Sequence, residues 1–221
     1  RGVHTTRGYV STPVVVDAAG AWARIVGRMA GAEVKVVPMR HQLAISAPQS
    51  GILPDTPIVR ITDAAAYVRP ARGGLMYGIF EPDPLPFGPE PGQTLSLDMI
   101  PVDRGVLQDA RERILRTVPS LQNATDQEER AGLFTMTADG KFMAGPMPGV
   151  HGFWVISGCN GSGFSMSTGL GESIAQWIVG GASEIDLSML DPGRFLDPEI
   201  SDADMLAKSI WQYENYYTPH N

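Results

Sequence analysis

Two groups of residues have the types and spacing to do chemistry. The first is the loop SGCNGSGFS, with glycines at 158, 161 and 163. It follows an apolar run of strand length at 153–156 and opens into a helical pattern. A helix N-terminus reached through glycines offers backbone N–H groups and a partial positive charge to an electron-rich ligand atom. An ordinary buried αβ corner has the same features, and these residues alone leave both readings open. The second group centres on His41. In VPMRHQLAIS, period two puts Met39, His41, Leu43 and Ile45 on one face and Arg40, Gln42 and Ser46 on the other. A histidine on an apolar face is ordinarily a core side chain satisfied by a backbone carbonyl. Tyr67 and Arg69 share a face of a later strand. If that face meets His41, three polar groups converge over an antiparallel sheet.

Other chemistries lack their residues. Four scattered histidines and one cysteine, Cys159, form neither CxxC nor HExxH spacing, so no metal site is expected. Ser162 in NGSGF does not meet GxSxG, and no Asp–His spacing suggests a triad. A net charge of -7 without a basic cluster argues against a nucleic-acid partner. The single cysteine excludes an internal disulfide framework and fits a reducing, cytoplasmic compartment. No apolar run approaches the ~20 residues of a membrane span, and no signal peptide is seen.

The elements that must position these groups alternate strands with tight turns, as 25 glycines and 18 prolines require. A hairpin is expected over 3–10. A buried strand at 14–16 follows, then a small-residue turn at 17–20 and a helix with Trp22, Ile25, Val26 and Met29 on one face. Strands are expected at 58–61, 65–69 and 75–81, the last two joined through 70–74. Five prolines between 82 and 91 make an extended linker. A helix is expected over 103–118 with Arg111, Glu112 and Arg113 exposed, and 122–130 reads as a solvated loop. In the helix after the glycine loop, Met166, Leu170, Ile174 and Ile178 form an apolar stripe, and Gly163, Ser167, Gly171 and Ala175 a small one. Ser201 caps a last helix to about residue 213, with Asp204 three residues on. The aromatic tail WQYENYY reads as packing. The chain opens at Arg1 as if within a sheet, and so reads as a piece of a longer protein.

Five segments in order carry a resemblance: VVVDAAGAWARIVG, VVPMRHQLAIS, YVRPARGGLMYGIFEPDP, TADGKFMAGPMPGVHGFWVISGCNGSGFSM, and GLGESIAQWIVGG with DLSMLDPGRF. Together they resemble the FAD-dependent amine oxidoreductases of the D-amino-acid oxidase type, in particular the sarcosine and dimethylglycine dehydrogenase or oxidase branch. The resemblance implies an α+β fold, the C-terminal part of a two-domain enzyme. A partial Rossmann-like FAD domain would comprise 1–33 and 131–190, an antiparallel-sheet substrate domain 34–130, and a C-terminal extension 191–221. The family's GxGxxG strand is absent from the sequence, which implies a missing N-terminal FAD-binding segment or a partner chain.

Residue by residue, Gly20 and Trp22 match a second cofactor contact. Gly158, Cys159, Asn160, Gly161, Gly163, Phe164 and Ser165 match the loop beside the flavin. His41 and Tyr67 match a His–Tyr pair over the flavin, which makes His41 a catalytic candidate after all. Arg69 and Tyr77 are assigned to substrate binding. The expected reaction oxidises the C–N bond of a small N-methylated amine, with His41, near pKa ~6.5, taking the amine proton. The chain departs from the family at Phe134, where the glycine-oxidase type has arginine, and at Ser165, where monomeric sarcosine oxidase has lysine. Gly132 stands at the cysteine attachment position, which implies non-covalent FAD. The alternative is a non-catalytic fragment or subunit that completes an FAD amine dehydrogenase with a partner chain.

Overall fold

The computed structural model describes residues 2–197 and 200–218. Its elements in order are β1 Gly2–Thr5, β2 Gly8–Ser11, β3 Val15–Asp17, α1 Ala23–Met29, β4 Val37–Ser46, β5 Val59–Ile61, β6 Ala66–Ala71 and β7 Gly74–Ile79. There follow α2 Arg104–Ile114, β8 Asp126–Met136, β9 Met143–Pro146, β10 Phe153–Ser157, α3 Gly163–Gly180 and α4 Asp202–Glu214. The chain crosses between two compact units. One takes residues 1–38, 88–94 and 134–212; the other takes 39–87, 95–133 and 213–221. The described residues 191–197 and 200–212 fall in the first unit, and 213–218 in the second.

In the first unit the sheet order is β3-β10-β9. β10 runs parallel to β3, with Val155 opposite Asp17, and antiparallel to β9. The core gathers Ala23, Val34, Met143, Phe153, Val155 and Met205. α1 buries Ala23 and Gly27 rather than the expected stripe, and Met29 is 81% exposed. A Cβ on Gly27 would lie 2.5 Å from Val34 Cγ2, so the helix packs through its smallest residues. α3 buries Leu170 and Ile174 against Ala144 and Leu187. Its small-residue stripe is half-buried to exposed. The Ser201 cap is present: Asp204 N–H donates to Ser201 Oγ at 3.1 Å, and Ser201 N–H donates back to Asp204 Oδ2 at 3.1 Å.

The second unit is a five-stranded sheet, β5-β6-β7-β4-β8. A two-residue turn, Arg72–Gly73, joins β6 to β7 with both residues at positive φ, the geometry that matches strand twist. One sheet face carries Ala44, Ala66, Val68 and Tyr77, packed against Leu107 and Ile114 of α2. Asp103 caps α2, its carboxylate accepting from Val106 N–H at 3.2 Å.

Two expectations fail in this unit for electrostatic reasons. Residues 126–130 are strand, not solvated loop. Arg72 pairs with Glu128, and Arg104 meets Glu129 at 2.6 Å, so neighbouring elements supply the countercharges of an edge strand. Arg111 is not an exposed helix residue. Its guanidinium meets Asp126 at 2.9 Å and donates to the carbonyls of Leu121 and Ala124, closing the loop after α2.

Candidate functional site

β4 is internal to its sheet, and its residues from Met39 to Ser46 are buried except Leu43, which is half-buried. On the α2 side, Gln42 is fully buried and its Oε1 accepts from Asp103 N–H at 2.8 Å. Arg40 is also buried and pairs with Glu81, Nε to Oε1 at 3.1 Å and Nη2 to Oε2 at 2.5 Å. This polar face of β4 is therefore a buried network whose charges are paired, as burial demands.

On the other face stands His41, 4% exposed. Its Nε2 lies 3.1 Å from Tyr67 Oη and its Nδ1 lies 2.9 Å from Tyr213 Oη. The imidazole and the Tyr67 ring are near parallel, 8° apart, with Phe80 tilted against the imidazole at 5.0 Å. Burial alone holds the His41 pKa down, to about 3. The expected proton acceptor near pKa 6.5 is thus corrected. A ring without solvent, with both nitrogens against tyrosine hydroxyls, stays neutral and serves as a hydrogen-bond part. Burial also raises the Tyr67 pKa, against the opposing charges of Arg69 and Arg130, so its hydroxyl keeps its proton at neutral pH.

Gly78 makes the His41–Tyr67 contact possible. Tyr67 is paired with Gly78 across β6–β7, and Gly78 with Leu43 across β7–β4. The tyrosine ring lies over the bare glycine to reach His41, and a Cβ there would sit 2.4 Å from its Cζ and Oη. A lone glycine inside an otherwise bulky strand is the sequence signal for such an approach. Tyr213 had no comparable signal; it is 172 residues from His41 and comes from the tail read as packing.

Arg69 shares the Tyr67 face. Its guanidinium donates to the Pro70 carbonyl at 3.1 Å and has no carboxylate partner among the described residues. Tyr77 is not brought to this group. Its partners across the ladders are Ala44 and Val68, which places it on the α2 face, where its hydroxyl donates to Asp126 at 2.7 Å. Strand parity explains the difference: Tyr67 and Tyr77 are both aromatic, but their pairing puts them on opposite faces.

The remaining candidates lie in the first unit. β3 and β10 are neighbouring parallel strands, and the segments Gly20–Trp22 and Gly158–Ser165 both leave from their C-terminal ends, where ligands bind in sheets of this kind. Gly20 has φ +57, and a Cβ there would meet nothing within 4 Å. Trp22 is half-buried. Gly158, Asn160 and Gly161 all have positive φ. Asn160 is engaged throughout: Oδ1 accepts from Thr137 N–H at 3.0 Å and Nδ2 donates to the Gly158 carbonyl at 2.6 Å. Cys159 Sγ lies 3.0 Å from Thr135 Oγ1, and the Phe134 ring would lie 2.8 Å from a Cβ at Gly161. These four residues shape the loop. Beyond them α3 begins at Gly163 with no side chain capping it, Phe164 is 99% exposed, and Ser165 is exposed with its hydroxyl turned back to the Ser162 carbonyl at 2.9 Å. Open first-turn amides at the end of a glycine loop can take the edge of a flat, electron-rich group.

The sequence and the fold agree with known proteins. The family model "FAD dependent oxidoreductase" matches residues 1–177. Mitochondrial sarcosine dehydrogenase from Homo sapiens is 34% identical over 194 residues, covering 88% of this chain and 21% of that protein. Mitochondrial dimethylglycine dehydrogenase from Mus musculus is 31% identical over 204 residues, covering 87% of this chain and 23% of that protein. Among solved structures, L-proline dehydrogenase from P. horikoshii aligns with a TM-score of 0.74 at 28% identity, over 88% of this chain and 50% of that one. Glycine oxidase from Geobacillus kaustophilus shares the fold, with a TM-score of 0.67. The chain belongs to the FAD-dependent oxidoreductase family, and FAD is that family's cofactor. It spans about a fifth of the length of the two curated relatives. Among the described residues no helix is long and apolar enough to cross a membrane.

Proposed function

We propose that the protein containing this chain oxidises the C–N bond of a small secondary or tertiary amine of the N-methylglycine class. The observation that carries this reading is the Tyr67–His41 contact at 3.1 Å, with Arg69 on the same sheet face. A hydroxyl that keeps its proton and a guanidinium without a carboxylate partner among the described residues form a pair suited to a substrate carboxylate. Tyr67 is the group that touches substrate in this reading, and His41 positions it. The amine must be uncharged for its carbon to give up a hydride. Since His41 is neutral and engaged, the substrate enters as the free base.

The residues of the first unit fit FAD. Open space at Gly20, the left-handed loop from Gly158 to Gly161 and the uncapped start of α3 accommodate a broad anionic group at two parallel strand ends. Gly20, Trp22, Gly163, Phe164 and Ser165 would hold it. FAD, when bound, supplies the two-electron oxidising capacity. The exposed start of α3 also suits completion by an FAD-binding segment or partner chain. The lone cysteine is consistent with a reducing compartment.

The test is rapid mixing of the full-length, FAD-loaded protein with sarcosine or dimethylglycine. Either amine should bleach the flavin absorbance, and the rate should rise with pH through the amine's own pKa. Tyr67→Phe should slow bleaching ~10²-fold, as loss of one preorganised donor does. No bleaching by any N-methylated glycine would refute the substrate class.

A further inference from the structure

Among the described residues, the strands of the second unit's sheet carry Arg40, Arg60, Arg69 and Arg130 as their cations. Arg40 is neutralised by Glu81, and Arg130 by Glu128 at 3.2 Å. Arg60 and Arg69 have no carboxylate partner among the described residues. These two share a face with Tyr67. Arg60 is paired with Tyr67 across β5–β6, and Arg69 follows Tyr67 by two residues, so strand alternation turns all three side chains the same way. The two arginines are diagonal neighbours, a spacing of ~7–8 Å that long side chains can bridge. Like charges so placed repel unless an anion lies between them. Arg60 is exposed, but its guanidinium has a seat: it lies 5.8 Å from the centroid of the Tyr217 ring, within cation–π range. Tyr217 in turn stands edge-on to Phe80 at 5.2 Å, and Phe80 packs on His41 at 5.0 Å. The aromatic group around His41 thus also seats a second cation beside Tyr67.

We propose that Arg60 binds a second carboxylate of the substrate, carried on the amine's N-substituent, while Tyr67 and Arg69 hold the first. The preferred substrate is then a dicarboxylic amine: an N-methylglycine with a further carboxymethyl arm on its nitrogen. This rests on the reading of Tyr67 and Arg69 as the carboxylate-binding pair and narrows the substrate class of that same site. In such an amine the two carboxylates stand on either side of the nitrogen. Two guanidiniums on adjacent strands can take one each, as charge-assisted and planar contacts. Tyr217 acts through Arg60 as a positioning residue, since its ring restrains a long side chain that would otherwise pay its full rotamer entropy on binding.

The experiment compares N-methyliminodiacetate with dimethylglycine, which differ by one carboxylate, in rapid mixing with the full-length, FAD-loaded protein. The second-order rate constant for flavin bleaching should be ~10-fold higher for the dicarboxylate, the gain expected from one charge-assisted hydrogen bond. Arg60→Gln should abolish that preference, and Tyr217→Leu should lower it part of the way. A merely structural effect of either substitution scales both substrates alike and leaves their ratio where it was. A wild-type protein without preference for N-methyliminodiacetate overturns the proposal, as does a preference that survives Arg60→Gln. An unchanged ratio in Tyr217→Leu removes that residue from its positioning role. Bleaching by dimethylglycine without a preference for the dicarboxylate defeats the role of Arg60 and leaves the N-methylglycine reading standing. Failure of dimethylglycine, sarcosine and N-methyliminodiacetate alike to bleach the flavin defeats both.

Discussion

The imidazole of His41 and the first turn of α3 are opposite solutions to presenting a polar group. His41 is 4% exposed and both its ring nitrogens are engaged by tyrosines. Phe164, at the start of α3, is 99% exposed, and no side chain caps the helix there. A satisfied, buried group has no valence left for a ligand. In the proposed reading its use is to fix the geometry of a neighbour that does, Tyr67. An uncapped helix start has donors to spare and little fixed around it, so it suits contacts that a ligand completes. The difference separates positioning residues from binding residues more sharply than residue type does, since a histidine beside a tyrosine suggests acid–base chemistry until its burial is known.

The comparison breaks most directly at Gly78. Gly78→Ala puts a methyl group within 2.4 Å of the Tyr67 ring and forces that ring away from His41. It should cost about 1–3 kcal/mol of stability, and also slow flavin bleaching to nearly the extent of Tyr67→Phe. Denaturant unfolding and rapid mixing on the same protein check the two effects. A variant that loses stability but keeps the full rate would mean that Tyr67 does not need its seat over Gly78.

Proton linkage sharpens the contrast. Unfolded, His41 takes a proton near pH ~6.5; folded, burial delays it to about 3. The unfolded state therefore binds more protons between these values, and the folded state loses stability as pH falls. The contribution is fully present above the unfolded pKa and declines by about 1.4 kcal/mol per pH unit below it. Between about pH 6.5 and 5, where most carboxylates remain ionised, wild-type stability should fall more steeply than that of His41→Gln. Parallel slopes would show that the imidazole protonates in place.

The smallest expected effect is at the other pole. Phe164→Ser removes a ring in contact with almost nothing, so the unfolding free energy should change by no more than about 0.5 kcal/mol. FAD retention by the full-length protein, measured by ultrafiltration, should nevertheless weaken. A destabilised variant with unchanged FAD retention would reverse the assignment of that turn.

Local patterns were legible where a rule acts over a few residues. Alternation placed β4, and the turn through 70–74 placed β6 beside β7. Glycines marked the loop into α3, and Ser201 with Asp204 marked the start of α4. Each depends on backbone preference or on neighbours within one turn, and so is written into consecutive residues. The strand at 126–130 escaped because its charges read as solvated until Arg72 and Arg104, distant in sequence, were seen beside them.

By itself, then, the sequence determined the order of the elements, the glycine loop and membership of the FAD-dependent oxidoreductase family. Only tertiary structure decided that His41 is dry and doubly engaged, that Tyr77 faces away from it, and that Tyr213 lies on its far nitrogen. The physical reason is that proton affinity and strand facing are set by whatever packs against a residue. For His41, that is the ring lying across Gly78 from the next strands and a tyrosine 172 positions along the chain.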